Sequence, residues 1–113
     1  MSEPIVTKPV ITWLAVTVDH ATGFSAPIDL TAGAIVAIGT PSASEVAIFW
    51  VEVDIGGAWY ALADPSGAPR DFRLLRSRAV PCDSAWTLPY TSARITMQVS
   101  ESDYLFQVCV QTF

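Results

Sequence analysis

The side chains of this 113-residue chain that could do chemistry are few and scattered. Asp19, Asp54, Asp64, Asp83 and Asp103 stand in or beside turn sequences, where a short carboxylate ordinarily bonds nearby backbone N–H groups. A glycosidase pair would need two carboxylates held about 5 to 9.5 Å apart across a cleft, and nothing in the spacing marks such a pair. His20, the single histidine, lies in the segment HATG, which reads as a solvated turn with no acid or nucleophile at a suggestive spacing. Cys82 and Cys109 lack metal-ligand spacing and are too few for a disulfide scaffold, and the sequence leaves open whether they pair. With one histidine, an ordinary zinc site cannot be assembled within one chain. The serines and Cys109 have no partnered base. The expectation is a protein that is not an enzyme, with no catalytic residue, no metal and no cofactor.

What remains is chemistry of contact. Arg70, Arg73, Arg76 and Arg78 are four of the six basic residues, set in or just before a segment at 71–80, DFRLLRSRAV, that reads as one strand. At a period of two, Arg76 and Arg78 share the face of Phe72 and Leu74, and Arg73 falls with Leu75. Two readings stand: a charged edge strand that discourages sheet-to-sheet pairing, or guanidinium groups that pair with carboxylates of an adjacent subunit or a host surface. Trp86, in the loop 81–89, either caps the core or is displayed to a ligand, and Tyr90 stands beside that loop. Residues 1–10 contain Pro4 and Pro9, which favour an extended arm that lies on a neighbouring molecule or frays. Arg70, Arg73, Arg76, Arg78, Trp86 and Tyr90, with Ile5 and Val6 of the arm, are the candidate partner-interface residues.

Hydrophobic residues make up 51% of the chain and charged residues 15%, an apolar balance for its size. No run approaches the roughly 18 apolar residues of a membrane span, and the amino terminus lacks the charged-then-apolar layout of a signal peptide. The expectation is a soluble, non-secreted protein that hides apolar surface against partners rather than in a membrane. A formal net charge of −5 argues against nucleic acid, whose phosphates need a basic face.

The elements that must position these residues are strands. Residues 44–53 carry a β-branched and aromatic run, VAIFWVEV, apolar on both faces and so expected to be covered on both. Asp54-Ile55-Gly56-Gly57 supplies hairpin chemistry, and residues 58–62 return as the partner strand. Trp13, Trp50 and Trp59 lie in strands among apolar neighbours and are expected in the core. Segment 11–19 places Leu14, Val16 and Val18 on one face; 24–30 carries Pro27, suited to an edge or a strand start; 34–39 is a short buried strand. Asp64-Pro65-Ser66-Gly67 is a turn, with proline presetting φ at its second position. Segment 93–100 turns Ile95, Met97 and Val99 inward, and 104–113 alternates Tyr104, Phe106, Val108 and Val110 against Gln107, Cys109 and Gln111. About eight short strands at turn spacing, with no convincing helix, predict an all-β antiparallel β-sandwich of jelly-roll or Greek-key type, with an arm at 1–10 and one domain at 11–113.

The order APIDL, GAIVAIGTPSA, VAIFWVEVDIGGAWYALADPSG and ARITMQVS resembles small β-sandwich virion proteins of tailed bacteriophages, over residues 26–100. The matched positions include Asp29, Leu30, Pro41, Phe49, Val51, Asp54, Gly56, Gly57, Trp59, Leu62, Asp64 and Gly67, and Ser42, Ala43 and Ser44 replace the aromatic that follows the proline in those proteins. The resemblance implies a capsid decoration (cement) protein on the head exterior, assembled in the host bacterial cytoplasm. It would bind the major capsid protein and itself, as a homodimer or homotrimer. A small tail or fibre component is the variant of that reading, and a carbohydrate-binding, lectin-like sandwich is the alternative from another class, since four Trp and three Tyr could stack on sugar rings.

Overall fold

Period-two alternation builds two antiparallel sheets whose apolar faces meet. The structure, a computed structural model, describes residues 10–42, 47–74, 77–98 and 102–112. Its strands are β1 Val10–Val18, β2 Ile28–Asp29, β3 Gly33–Thr40, β4 Ala47–Ile55, β5 Ala58–Ala61, β6 Phe72–Leu74, β7 Arg78–Pro81, β8 Ser92–Met97 and β9 Tyr104–Thr112, with one 3₁₀ turn at Ser84–Trp86. One sheet runs β1-β9-β3-β7; the other runs β2-β8-β4-β5, with β6 also paired to β4. Apart from the β4–β5–β6 run, consecutive strands alternate between the sheets, which is jelly-roll winding.

The expected turns form as their residues require. Gly56 and Gly57 have φ of 64° and 89°, and Asp54 accepts the Gly57 N–H at 2.9 Å, so the β4–β5 hairpin closes without backbone strain. β2 follows Pro27 directly and lies at the end of its sheet order, an edge position that tolerates the missing donor. Val16, Val18, Ile35, Ile38, Phe49, Val51, Val53, Ile95, Phe106 and Val108 fill the space between the sheets.

Three expectations are corrected. Residues 71–80 are not one strand: β6 pairs with β4 in one sheet and β7 with β3 in the other, so the chain crosses the sandwich between them. β5 and β6 lie along the same side of β4, at Glu52–Ile55 and Ala47–Phe49 respectively, as one strand interrupted by an excursion that carries Asp64 and Arg70. β4 is covered on one face only: Ala47, Phe49, Val51 and Val53 are buried, whereas Ile48, Trp50, Glu52 and Asp54 are half-buried on the outside. Trp13 is exposed and Trp50, Trp59 and Trp86 are half-buried, so no tryptophan is in the core. A wide ring that tolerates partial burial suits the outer face of a sheet, and β-propensity alone does not distinguish the two faces.

β3 is bulged between Ile35 and Ala37, which frees backbone groups from the ladder. The 3₁₀ turn repairs this. Thr87, buried at its end, accepts the Ile35 N–H at 2.8 Å, and the Cys82 N–H reaches the Val36 carbonyl at 3.0 Å. Thr87→Val keeps the shape but strands a buried N–H, so urea unfolding is expected to show a loss of about 1–3 kcal/mol. A variant as stable as the parent would mean that the bulge does not depend on this hydroxyl.

Candidate functional site

Three surface regions gather the side chains with chemical potential, and they differ in character. The first is the outer face of the β1-β9-β3-β7 sheet. Register places Ile11, Gln111 and Ala34 in one row across it, then Trp13, Cys109, Ala37 and Pro81, then Ala15, Gln107, Gly39 and Ala79, then Thr17 and Leu105. None of these side chains is charged. Trp13 of β1 is 54% exposed and Leu105 of β9 50%, so large apolar groups stand open to water on these two strands. Cys109 is buried within this face, and Cys82 packs against the core from the opposite side of the sheet. Both thiols are free, and alternation explains why they do not meet. Burial raises the Cys82 thiol to about 11 and raises Cys109 as well, so neither is poised as a thiolate nucleophile.

The outer face of the other sheet is the reverse. Glu52 and Asp54 of β4 and Arg94 of β8 lie there, with Arg73 opposite Ile48. Arg94 donates from Nε and lies with Nη2 on the same Glu52 oxygen at 2.8 Å, and its guanidinium carbon stands 4.1 Å from the Phe24 ring centre and 4.4 Å from that of Trp59. Thr96 Oγ1 and Trp50 Nε1 donate to the same carboxylate at 2.9 and 3.2 Å. Partial burial pushes the Glu52 carboxyl up, but the bonds from Arg94, Trp50 and Thr96, with the Arg94 charge, outweigh it and hold the group below its ordinary 4.5. This network ties β4 to β8 and stabilises the sheet.

The third region is a groove of about 380 Å³ at one end of the sandwich, between the β4–β5 hairpin, the excursion after β5 and the 3₁₀ turn. Here the structure brings together three residues singled out from the sequence, Arg70, Trp86 and Tyr90, and adds Tyr60 and Asp64. The Arg70 guanidinium carbon lies 4.3 Å from the Trp86 ring centre. Trp86 therefore neither caps the core nor stands free but backs an arginine. Arg73 and Arg78 lie elsewhere, in different sheets, and Arg76, Ile5 and Val6 lie outside the described residues. The arginine series is thus dispersed, because the chain changes sheets within it.

A further cluster was invisible in spacing. His20 donates its backbone N–H to Asp103 at 2.8 Å across 83 residues, and its ring Nδ1 meets the same oxygen. With Asp19 these form a group whose candidate metal-ligand atoms lie within 4.8 Å of one another, all on exposed side chains. Each is already engaged, since Asp19 accepts the Ala21 N–H at 2.7 Å. The bond to Asp103 and that carboxylate's charge raise the His20 pKa above 6.5, and the bonds from His20 lower Asp103 below 3.8. Asp103→Asn is expected to bring the His20 NMR titration midpoint back towards 6.5, and an unmoved midpoint would exclude the contact in solution. The His20 contribution to stability is complete below pH 6.5 and lost as pH rises through the raised folded-state value. That of Asp103 is complete above 3.8 and lost as pH falls through the lowered one, so the pair stabilises most between those values.

Over the described residues the fold is an antiparallel jelly-roll sandwich of nine strands, with one outer face without charged side chains, one carrying the Glu52–Arg94 pair, and an aromatic groove. Comparison with protein-family models, curated sequences and solved structures returned no match to this chain.

Proposed function

We propose that this chain is a non-enzymatic attachment protein that docks through the outer face of the β1-β9-β3-β7 sheet. The observation that carries the reading is that none of the described rows of that face holds a charged side chain, in a molecule whose other outer face holds Glu52, Asp54, Arg73 and Arg94. A sheet surface without charged side chains, with Trp13 and Leu105 exposed on it, loses little on desolvation and gains roughly 25 cal/mol per Å² of apolar area covered. Aromatic anchors such as Trp13 supply most of the affinity of such contacts.

The resemblance to phage virion sandwiches supports a specific form of this reading. The chain would be a capsid decoration protein of a tailed bacteriophage, bound outside the head as a homodimer or homotrimer and stabilising contacts between major capsid subunits, because shell axes offer symmetric seats. Its arginines would take a lesser part, since the described ones are dispersed. Mixing purified protein with undecorated expanded heads is expected to give stable decoration. Trp13→Lys, at an exposed position that leaves folding intact, is expected to weaken it about 30-fold or more, the effect of losing a hot-spot aromatic. Failure of the parent protein to bind heads, with a monomeric mass at high concentration, would remove the proposal.

A second reading, a carbohydrate-binding sandwich, is favoured by one observation. The tryptophans expected in the core lie at the surface, so aromatic faces are within reach of a ligand.

A further inference from the structure

We propose that the groove at the end of the sandwich is a saccharide site for one or two pyranose rings, with Arg70 and Asp64 as its hydrogen-bonding pair. The inference deepens the carbohydrate reading by assigning it a place, and it does not depend on attachment through the uncharged sheet face. A volume of about 380 Å³ is at the small end of ligand sites, which run from roughly 300 to 1,000 Å³.

The groove holds two polar groups with bonding capacity left over. Arg70 is half-buried, its backbone N–H bonds the Leu62 carbonyl at 3.1 Å, and its guanidinium lies over Trp86. No carboxylate among the described residues stands within ion-pair distance of it, and no described residue accepts a hydrogen bond from its guanidinium. Asp64 uses one carboxylate oxygen to hold its own turn, accepting from Ser66 N–H and Oγ at 2.9 and 2.6 Å and from Ala68 N–H at 3.0 Å. Its other oxygen accepts no bond from the described residues. Around this pair stand the rings of Tyr60, Trp86 and Tyr90.

Three ligand classes can be weighed against that lining. A purely apolar ligand would cover a guanidinium and a carboxylate and pair neither. A simple anion would satisfy Arg70 but bring its charge towards Asp64, in a chain of net charge −5. A pyranose meets both requirements: one hydroxyl accepts from the Arg70 fork, a neighbouring hydroxyl donates to Asp64, and the C–H face of the ring lies against an aromatic side chain.

The test is a ¹⁵N-resolved NMR titration of the whole chain with maltose, cellobiose, di-N-acetylchitobiose and a glucuronic-acid disaccharide. Saturable shifts at the Trp86 indole and at Arg70, Tyr60 and Asp64 are expected for at least one sugar. Arg70→Ala and Tyr60→Ala are each expected to weaken binding at least tenfold; Tyr60 is 53% exposed, so its removal leaves the fold intact. Shifts confined to the Trp50 and Trp59 face, or unaffected by both variants, would overturn the groove as the site while leaving a carbohydrate-binding protein. No shift with any of the four sugars would overturn both.

Discussion

Phe49→Ala is expected to lower the unfolding free energy by about 3–5 kcal/mol, the range for deleting a fully buried aromatic. Phe49 is 0% exposed, and its ring centre lies 5.0 Å from that of Phe106 in the opposite sheet, tilted by 55°, and 5.3 Å from that of Phe72 beside it. The residue therefore joins the two layers and also pins the short β6 to β4, where it pairs with Phe72. Removing it forfeits transfer free energy, leaves a cavity that rigid strands on both sides cannot close, and loses two aromatic contacts worth about 0.5–1.5 kcal/mol each, already counted within that range. Against a total stability of about 5–15 kcal/mol for a domain of this kind, the variant would be at the edge of folding. Urea unfolding monitored by circular dichroism measures this. Phe72→Ala, at a half-buried position, is the internal comparison and is expected to cost less. A loss below about 1 kcal/mol for Phe49→Ala would contradict the packing described between the sheets.

Arg94→Ala is the second large effect, expected at about 2–4 kcal/mol. The side chains of Arg94 and Glu52 are only 17% and 15% exposed, so removing the guanidinium leaves a largely buried carboxylate without its countercharge. The same substitution uncovers the rings of Phe24 and Trp59, each of which the guanidinium covers. The double variant Glu52→Gln/Arg94→Met is expected to be milder than Arg94→Ala, because no unpaired charge remains. The pH dependence has a fixed sign. Glu52 titrates below its ordinary 4.5 in the folded chain, so its contribution is complete above that value and lost as pH falls through the lowered one. In Arg94→Ala that acid-labile contribution should shrink, and an unchanged acid-unfolding profile would show that the ion pair does not set the Glu52 pKa.

Much of the architecture was readable from residue order. The alternation of Tyr104, Phe106, Val108 and Val110 correctly placed the inner face of β9, and Ile95 and Met97 that of β8. Gly56, Gly57 and Gly67 all adopt positive φ where turn chemistry placed them. These signals are local: side-chain direction reverses at every strand residue, and a two-glycine turn needs nothing from the rest of the chain. The candidate groove was half legible, since Arg70, Trp86 and Tyr90 were marked for their types, but Tyr60 and Asp64 read only as strand and turn. No local signal joins an excursion after β5 to a 3₁₀ turn that lies beyond β6 and β7.

Composition and alternation by themselves determined an all-β sandwich, the inward-facing residues of β1, β8 and β9 and the β4–β5 hairpin turn, because each follows from contacts between near neighbours along the strand. Tertiary structure alone decided which outer face is left without charge, that the arginines of segment 71–80 part company between two sheets, and that His20 meets Asp103. The reason is physical. Period-two patterning assigns a residue to one side or the other of its strand, but the identity of the neighbouring strand is set by the winding of the whole chain, which depends on how all the apolar faces are buried at once.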